Sequence, residues 1–145
     1  MLATLGIVAF LILLGVWEVI RTRRLACSRR GENFGTFRAT FPDVPVDVLR
    51  AVYEGTQKLY EFAIADFPVR GTDTLDLIVG TPEADSSEFV LEVLTACRRQ
   101  LPAQIHDHLG WAINSVAAFV AFVADCPPAS SDLSPPGRAR HNDRE

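Results

Sequence analysis

Two histidines flanking an aspartate, His106-Asp107-His108, together with Cys97, are the residues whose types suggest a metal site. A zinc site needs converging ligands, usually with a recognisable spacing of Cys or His pairs. Here His-x-His has no fourth matched ligand and Cys97 falls on an apolar helical face, so no metal is expected. Cys97 and Cys126 read as packing thiols, and Cys27, beside a basic cluster, as a thiol open to palmitoylation in a suitable host. Asp43, Asp47, Glu54, Glu61 and Glu92 fall mostly off the apolar stripes of their helices and read as a solvated face. Asp85 and Ser86 read as the polar opening of a helix, with Glu88 at capping-box spacing from Asp85. Neither a Gly-rich phosphate loop nor a nucleophile with a matched base is present, so the chain is not expected to be an enzyme.

The elements that must position these residues divide unevenly. The chain has 145 residues, 14 basic and 18 acidic, for a net charge of −4. That length fits one compact domain with additions, and the acidic balance argues against a nucleic-acid binder. Three cysteines without paired spacing argue against a disulfide-stapled secreted module. From Met1 to Trp17 no residue is charged, and a bilayer core needs roughly 20 apolar helical residues. With Glu18 at headgroup level and Trp17 as interfacial anchor, residues 1–20 read as a transmembrane helix. A cleaved signal would carry basic residues before its apolar run. Here Arg21, Arg23, Arg24, Arg29 and Arg30 all follow it, which places the N-terminus outside and the rest in the cytoplasm. The same cluster suits anionic headgroups. Arg24-Leu25-Ala26-Cys27 is a distant likeness of a lipoprotein cleavage site, but Arg24 stands where an apolar residue belongs.

Residues 31–40 carry two glycines and no apolar period, and complete a basic juxtamembrane segment and linker over 21–40. The body, 41–126, holds five bases against thirteen acids, a net −8. Its first helix opens at Pro45 and buries Leu49, Val52, Tyr53, Thr56, Tyr60 and Ala63, ending near Ala65 before Asp66-Phe67-Pro68. Val69 to Gly80 reads as a long connection whose Leu75, Leu77, Ile78 and Val79 plug the core from a loop or short helical turn. Thr81-Pro82-Glu83 signals the second helix, with Phe89, Val90, Val93, Leu94, Cys97 and Leu101 inward, and Arg98 and Arg99 in its last turn. Residues 103–111 read as a loop or short helix. Asn114 or Ser115 caps a last helix that buries Val116, Phe119, Val120 and Val123 and stops at Pro127-Pro128. Residues 127–145, rich in Pro and Ser, read as a disordered tail. The fold class expected is all-α: a transmembrane helix followed by a small three- to four-helix bundle.

Thr72-Asp73-Thr74-Leu75-Asp76-Leu77-Ile78-Val79-Gly80, Ala84-Asp85-Ser86 with Val90, Val93 and Leu94, and Ile113-Asn114-Ser115-Val116 through Val123 resemble the acyl carrier protein fold over about residues 41–125. With Phe67-Pro68-Val69 and Thr72-Asp73, the chain is also similar to a group of bacterial carrier-like domains of unknown function. The resemblance implies that Ser86, after Asp85, stands where a carrier bears phosphopantetheine, at a helix N-terminus favourable to phosphate. Ser87 stands where the family has an apolar residue, and Thr81-Pro82 starts the helix about a turn before Ser86.

The expectation is therefore a membrane-anchored, carrier-like interaction module without cofactor, whose Asp85, Glu88 and Glu92 face a basic protein partner or an acyl-transferring enzyme. Two alternatives stand beside it. One is a genuine tethered carrier with phosphopantetheine on Ser86, and the other a small structural subunit of a membrane complex. Nucleic acid is not expected as a partner.

Overall fold

The computed structural model describes residues 2–79, 85–102 and 111–129. The chain is mostly helical, with one long apolar N-terminal helix. This helix, α1 (Leu2–Ser28), runs through the basic cluster without interruption. No Gly or Pro breaks it between Val16 and Arg30, and Gly31, at φ 92°, turns the chain beyond it. At 1.5 Å per residue it is about 40 Å long. It is the one helix among the described residues long and apolar enough to cross a membrane. Leu5 through Trp17 present their large apolar side chains outward, and Trp17 is 59% exposed.

The expected linker is structured. Asn33 caps α2 (Phe34–Ala39) through a reciprocal capping box with Thr36. Phe37 is buried, its ring 5.2 Å from both Phe41 and Tyr53. The missed signal is aromatic rather than periodic: Phe34, Phe37 and Phe41 form a short three- and four-residue series that two glycines obscure.

Pro45 caps α3 (Val46–Tyr60), which buries Val48, Leu49, Val52, Tyr53 and Thr56. This helix ends about five residues before the expected point. Tyr60 stacks on Phe67 at 4.2 Å, which requires the chain to double back. Arg23 Nε also donates to the Ala63 carbonyl at 3.0 Å and holds the turn. Asp66 adopts φ 57°.

Two strands correct the all-helical expectation in its detail. β1 (Thr74–Val79) replaces the expected loop, and β2 (Trp111–Ser115) takes the end of the expected 103–111 loop or short helix together with the first residues, from Ile113, of the last helical pattern. They pair antiparallel, with Leu77 opposite Ile113 and Val79 opposite Trp111, and the register shifts between Thr74 and Leu77. Leu75 and Ile113 are buried. Pairing satisfies backbone groups that a buried irregular loop would leave open.

Between the strands lies α4 (Asp85–Ala96), with Val90, Val93 and Leu94 buried as the apolar face requires. Arg98 and Arg99 are not in its last turn. Arg98 sits beyond the helix at φ 54°; its N–H donates to Thr95 O and that of Arg99 to Leu94 O, a Schellman closure. Arg99 instead reaches across to donate to the carbonyls of Ala124 and Cys126, at the end of α5 (Val116–Asp125). Ser115 caps α5 through the Ala118 N–H. The residues after α5 are tied to this junction: Gln100 N–H donates to Pro127 O and Ala129 N–H to Arg98 O. The first residues assigned to the tail thus belong to the body, and 130–145 lie outside the described residues.

α3 and α4 meet closely at Gly55, where an added Cβ would stand 2.7 Å from Val93 Cγ2. Val93 is buried and β-branched, so it cannot turn away. Gly55→Ala is expected to lower unfolding free energy by about 1–3 kcal/mol in denaturant titration. Arg98→Gly, which relieves a left-handed non-glycine residue, is expected to raise it by about 1 kcal/mol.

Candidate functional site

The most consequential side chain beyond the bilayer-length stretch is Arg29, just past the end of α1. It is buried, and its guanidinium grips Asp73 with both terminal nitrogens, Nη1 to Oδ2 at 2.8 Å and Nη2 to Oδ1 at 2.5 Å. Nη1 also donates to the Pro68 carbonyl at 2.9 Å, and the guanidinium lies 5.5 Å from the centre of the Phe67 ring. Nε makes no hydrogen bond among the described residues. Asp73 in turn accepts from the Arg70 N–H at 2.8 Å, while its carbonyl accepts from Val116 N–H at the start of α5. One ion pair therefore joins α1, the 66–73 loop, the entry to β1 and the first turn of α5. The basic cluster was expected to act on topology and lipid. Its fourth arginine is instead a packing residue of the body.

Around this pair lies a polar cleft of about 550 Å³, lined by Glu18, Arg21, Thr22, Leu25, Arg29, Tyr60, Thr72, Asp73 and Thr74. Its charges balance, because Arg21 pairs with Glu18 at 3.3 Å and Arg29 with Asp73. The Tyr60 hydroxyl there is pushed up from its ordinary pKa, first by burial and then by the Asp73 carboxylate. It therefore stays protonated, as a donor. A second cavity, of about 640 Å³, has Phe37, Phe41, Val69 and Ala117 in its wall and the Arg70–Glu32 ion pair at its rim. Its hydrogen bond from Arg70 holds the Glu32 carboxyl below the usual range.

Of the α4 positions singled out from the sequence, Glu88 and Glu92 line neither cavity. Asp85 and Ser86 are the first two described residues of α4, and their side chains lie outside what the structure describes. The Thr81-Pro82-Glu83 start signal also lies outside the described residues, as do His106, Asp107 and His108. Glu88 is exposed. Glu92 is exposed but bonded to Lys58 of α3, which uses one of the three acids assigned to a partner. Leu91, 49% exposed, lies with Glu88, Glu92, Thr95 and Ala96 in a shallow surface depression. Apolar and acidic groups thus share this face.

The thiols separate by burial. Cys97 and Cys126 are buried, and that burial pushes the Cys97 thiol up and the Cys126 thiol to about 11. Cys27 is exposed on the outer face of α1. No three His, Cys, Asp or Glu among the described residues are grouped to hold a metal ion. Comparison with protein-family models, with curated proteins and with solved structures finds no match to this chain.

The pair that sequence inspection missed, Arg29 with Asp73, is separated by 44 residues. No local spacing joins them. Asp73→Ala is expected to cost about 3–5 kcal/mol, because it leaves a buried guanidinium unpaired. Replacing both partners, Arg29→Met with Asp73→Leu, is expected to recover most of that loss in the same denaturation measurement. In the folded chain Cys27 alone is expected to react with iodoacetamide at neutral pH, and Cys97 and Cys126 only after denaturation, as read by mass spectrometry.

Proposed function

We propose that this chain is a membrane-anchored protein-interaction module, carrier-like in the order of its helices, that works without phosphopantetheine and catalyses no reaction. α1 spans the bilayer with its N-terminus outside, and the body stands on the cytoplasmic face, as the arginines after the apolar stretch favour. The observation that carries the reading is the burial of Arg29 against Asp73. Through it the body is locked to α1, where a mobile acyl carrier calls for a tether that lets it visit successive enzymes. A module fixed beside the membrane raises the local concentration of whatever it binds there. The acidic and apolar face of Glu88 and Leu91 is its contact for a basic protein surface.

A genuine carrier is the second reading. What supports it is the sequence pattern alone, Asp85-Ser86 ahead of the apolar face Val90, Val93 and Leu94, which resembles the site where a carrier bears its phosphopantetheine. The paired strands on either side of α4 are additions that the carrier-like helix order does not call for. The third reading, a structural subunit of a membrane complex, shares the rigid junction and differs in requiring a permanent partner.

Intact-mass measurement of the full chain, co-expressed with a phosphopantetheinyl transferase, separates the first two. Unchanged mass is expected; a phosphopantetheine increment that disappears in Ser86→Ala overturns the unmodified module. A membrane-impermeant maleimide tests the orientation. Cys27 is expected to be protected in intact cells and labelled once they are permeabilised, and labelling in intact cells reverses the topology. Purification in mild detergent distinguishes the third reading by a stoichiometric companion.

A further inference from the structure

The course of α3 relative to α1 is set at two points. Near its middle, Arg50 and Tyr53 pack on Phe34 and Phe37 of α2, beyond the end of α1. At its end, Tyr60 lines the same cleft as Glu18, Arg21 and Thr22, and the Ala63 carbonyl accepts from Arg23. α3 therefore runs back toward α1, and its end meets that helix at the level of Glu18 to Arg23. Arg23 lies six residues beyond Trp17, a rise of about 9 Å along a helix. A headgroup layer is about 5–8 Å thick, so the tip stands at its outer edge, within a large side chain's reach of the acyl boundary.

At this tip the chain exposes Leu59, 41% accessible, and Phe62, 62% accessible. They are three positions apart, Leu59 in the last turn of α3 and Phe62 in the turn that follows it. The tip is otherwise well held: Ala63 is buried and bonded to Arg23, and Tyr60 is stacked on Phe67. An aromatic ring presented from a fixed turn at headgroup depth has the placement of an interfacial anchor.

We propose that Leu59 and Phe62 insert into the headgroup–acyl boundary of the membrane that α1 crosses, as a second contact of the body with lipid. The inference rests on the spanning role proposed for α1. Continuity with that helix identifies the occupant as lipid. The nearby charges do not select an anionic surface: Glu18, Glu61 and Asp66 offset Arg21, Arg23 and Arg24. The contact is therefore one of apolar burial, and it forms on phosphatidylcholine alone and persists in high salt.

The full chain carrying Phe62→Trp, Trp17→Phe and Trp111→Phe is reconstituted in phosphatidylcholine vesicles with and without shallowly brominated lipid. A chain retaining only Trp17 is measured in parallel. Quenching at both positions is expected, and an indole at the acyl boundary should lose about half its emission and shift to the blue. If Trp17 is quenched and position 62 keeps the emission of an indole in water, the second contact is overturned while the anchor stands. If neither is quenched, the spanning role fails and this inference with it. Photolabelling of the unsubstituted chain with a diazirine-bearing phosphatidylcholine guards against a misfolded variant. Label on the peptide containing Leu59 and Phe62, besides α1, is expected, and label confined to α1 overturns the proposal.

Discussion

The rest of the structure depends on a charge that ought to be in water and is not. Taking a guanidinium out of solvent is costly, and only a close, multiply bonded partner offsets it. Arg29 has that partner in Asp73, with the Pro68 carbonyl beside it. Because Asp73 also anchors the Arg70 and Val116 amides, satisfying one arginine fixes the loop that leads into β1 and the start of α5 together. A hydrophobic contact at the same place would hold these elements with less constraint on their register. The bidentate geometry specifies both distance and direction.

From that junction outward, the packing is ordinary and cooperative. Ala26 and Phe37 belong to the same core cluster as Val52, Val93 and Phe119, so the end of α1 and the body share one interior. The paired strands close one side of it, and Arg99 closes another by capping the carboxyl end of α5, where a cation is favoured. The cleft beside Arg29 and the cavity beside Phe37 are rimmed by balanced ion pairs. The exposed features that stand out are instead surfaces, one acidic and apolar on α4, one aromatic at the tip of α3.

Much of the helical skeleton was legible in the residues alone. The face of α3 through Leu49, Val52 and Tyr53, that of α4 through Val90, Val93 and Leu94, and the Ser115 cap of α5 all follow from local period and capping chemistry. What escaped is non-local or short. Leu75, Leu77 and Val79 do alternate, but a six-residue stretch with four apolar residues fits a strand or a plug equally well until a partner is known. That partner, Trp111–Ser115, runs without a break into α5 and so reads as part of its helical pattern. Arg98 and Arg99 look like last-turn cations until the left-handed residue at 98 shows the helix already ended. At the candidate partner face, Glu88 and Leu91 are where the helical period places them, whereas the Lys58 bond to Glu92 depends on how two helices pack.

The unbroken run of α1 into the core has a mechanical consequence. With Thr22 and Ala26 buried and Arg23 and Arg29 bonded to other parts of the fold, no swivel separates helix from body. A spanning helix answers a change in bilayer thickness by changing its tilt. On the membrane-spanning role proposed for α1, such a tilt is a lever: the body swings with the helix, and the direction in which the α4 face points follows the helix rather than a hinge.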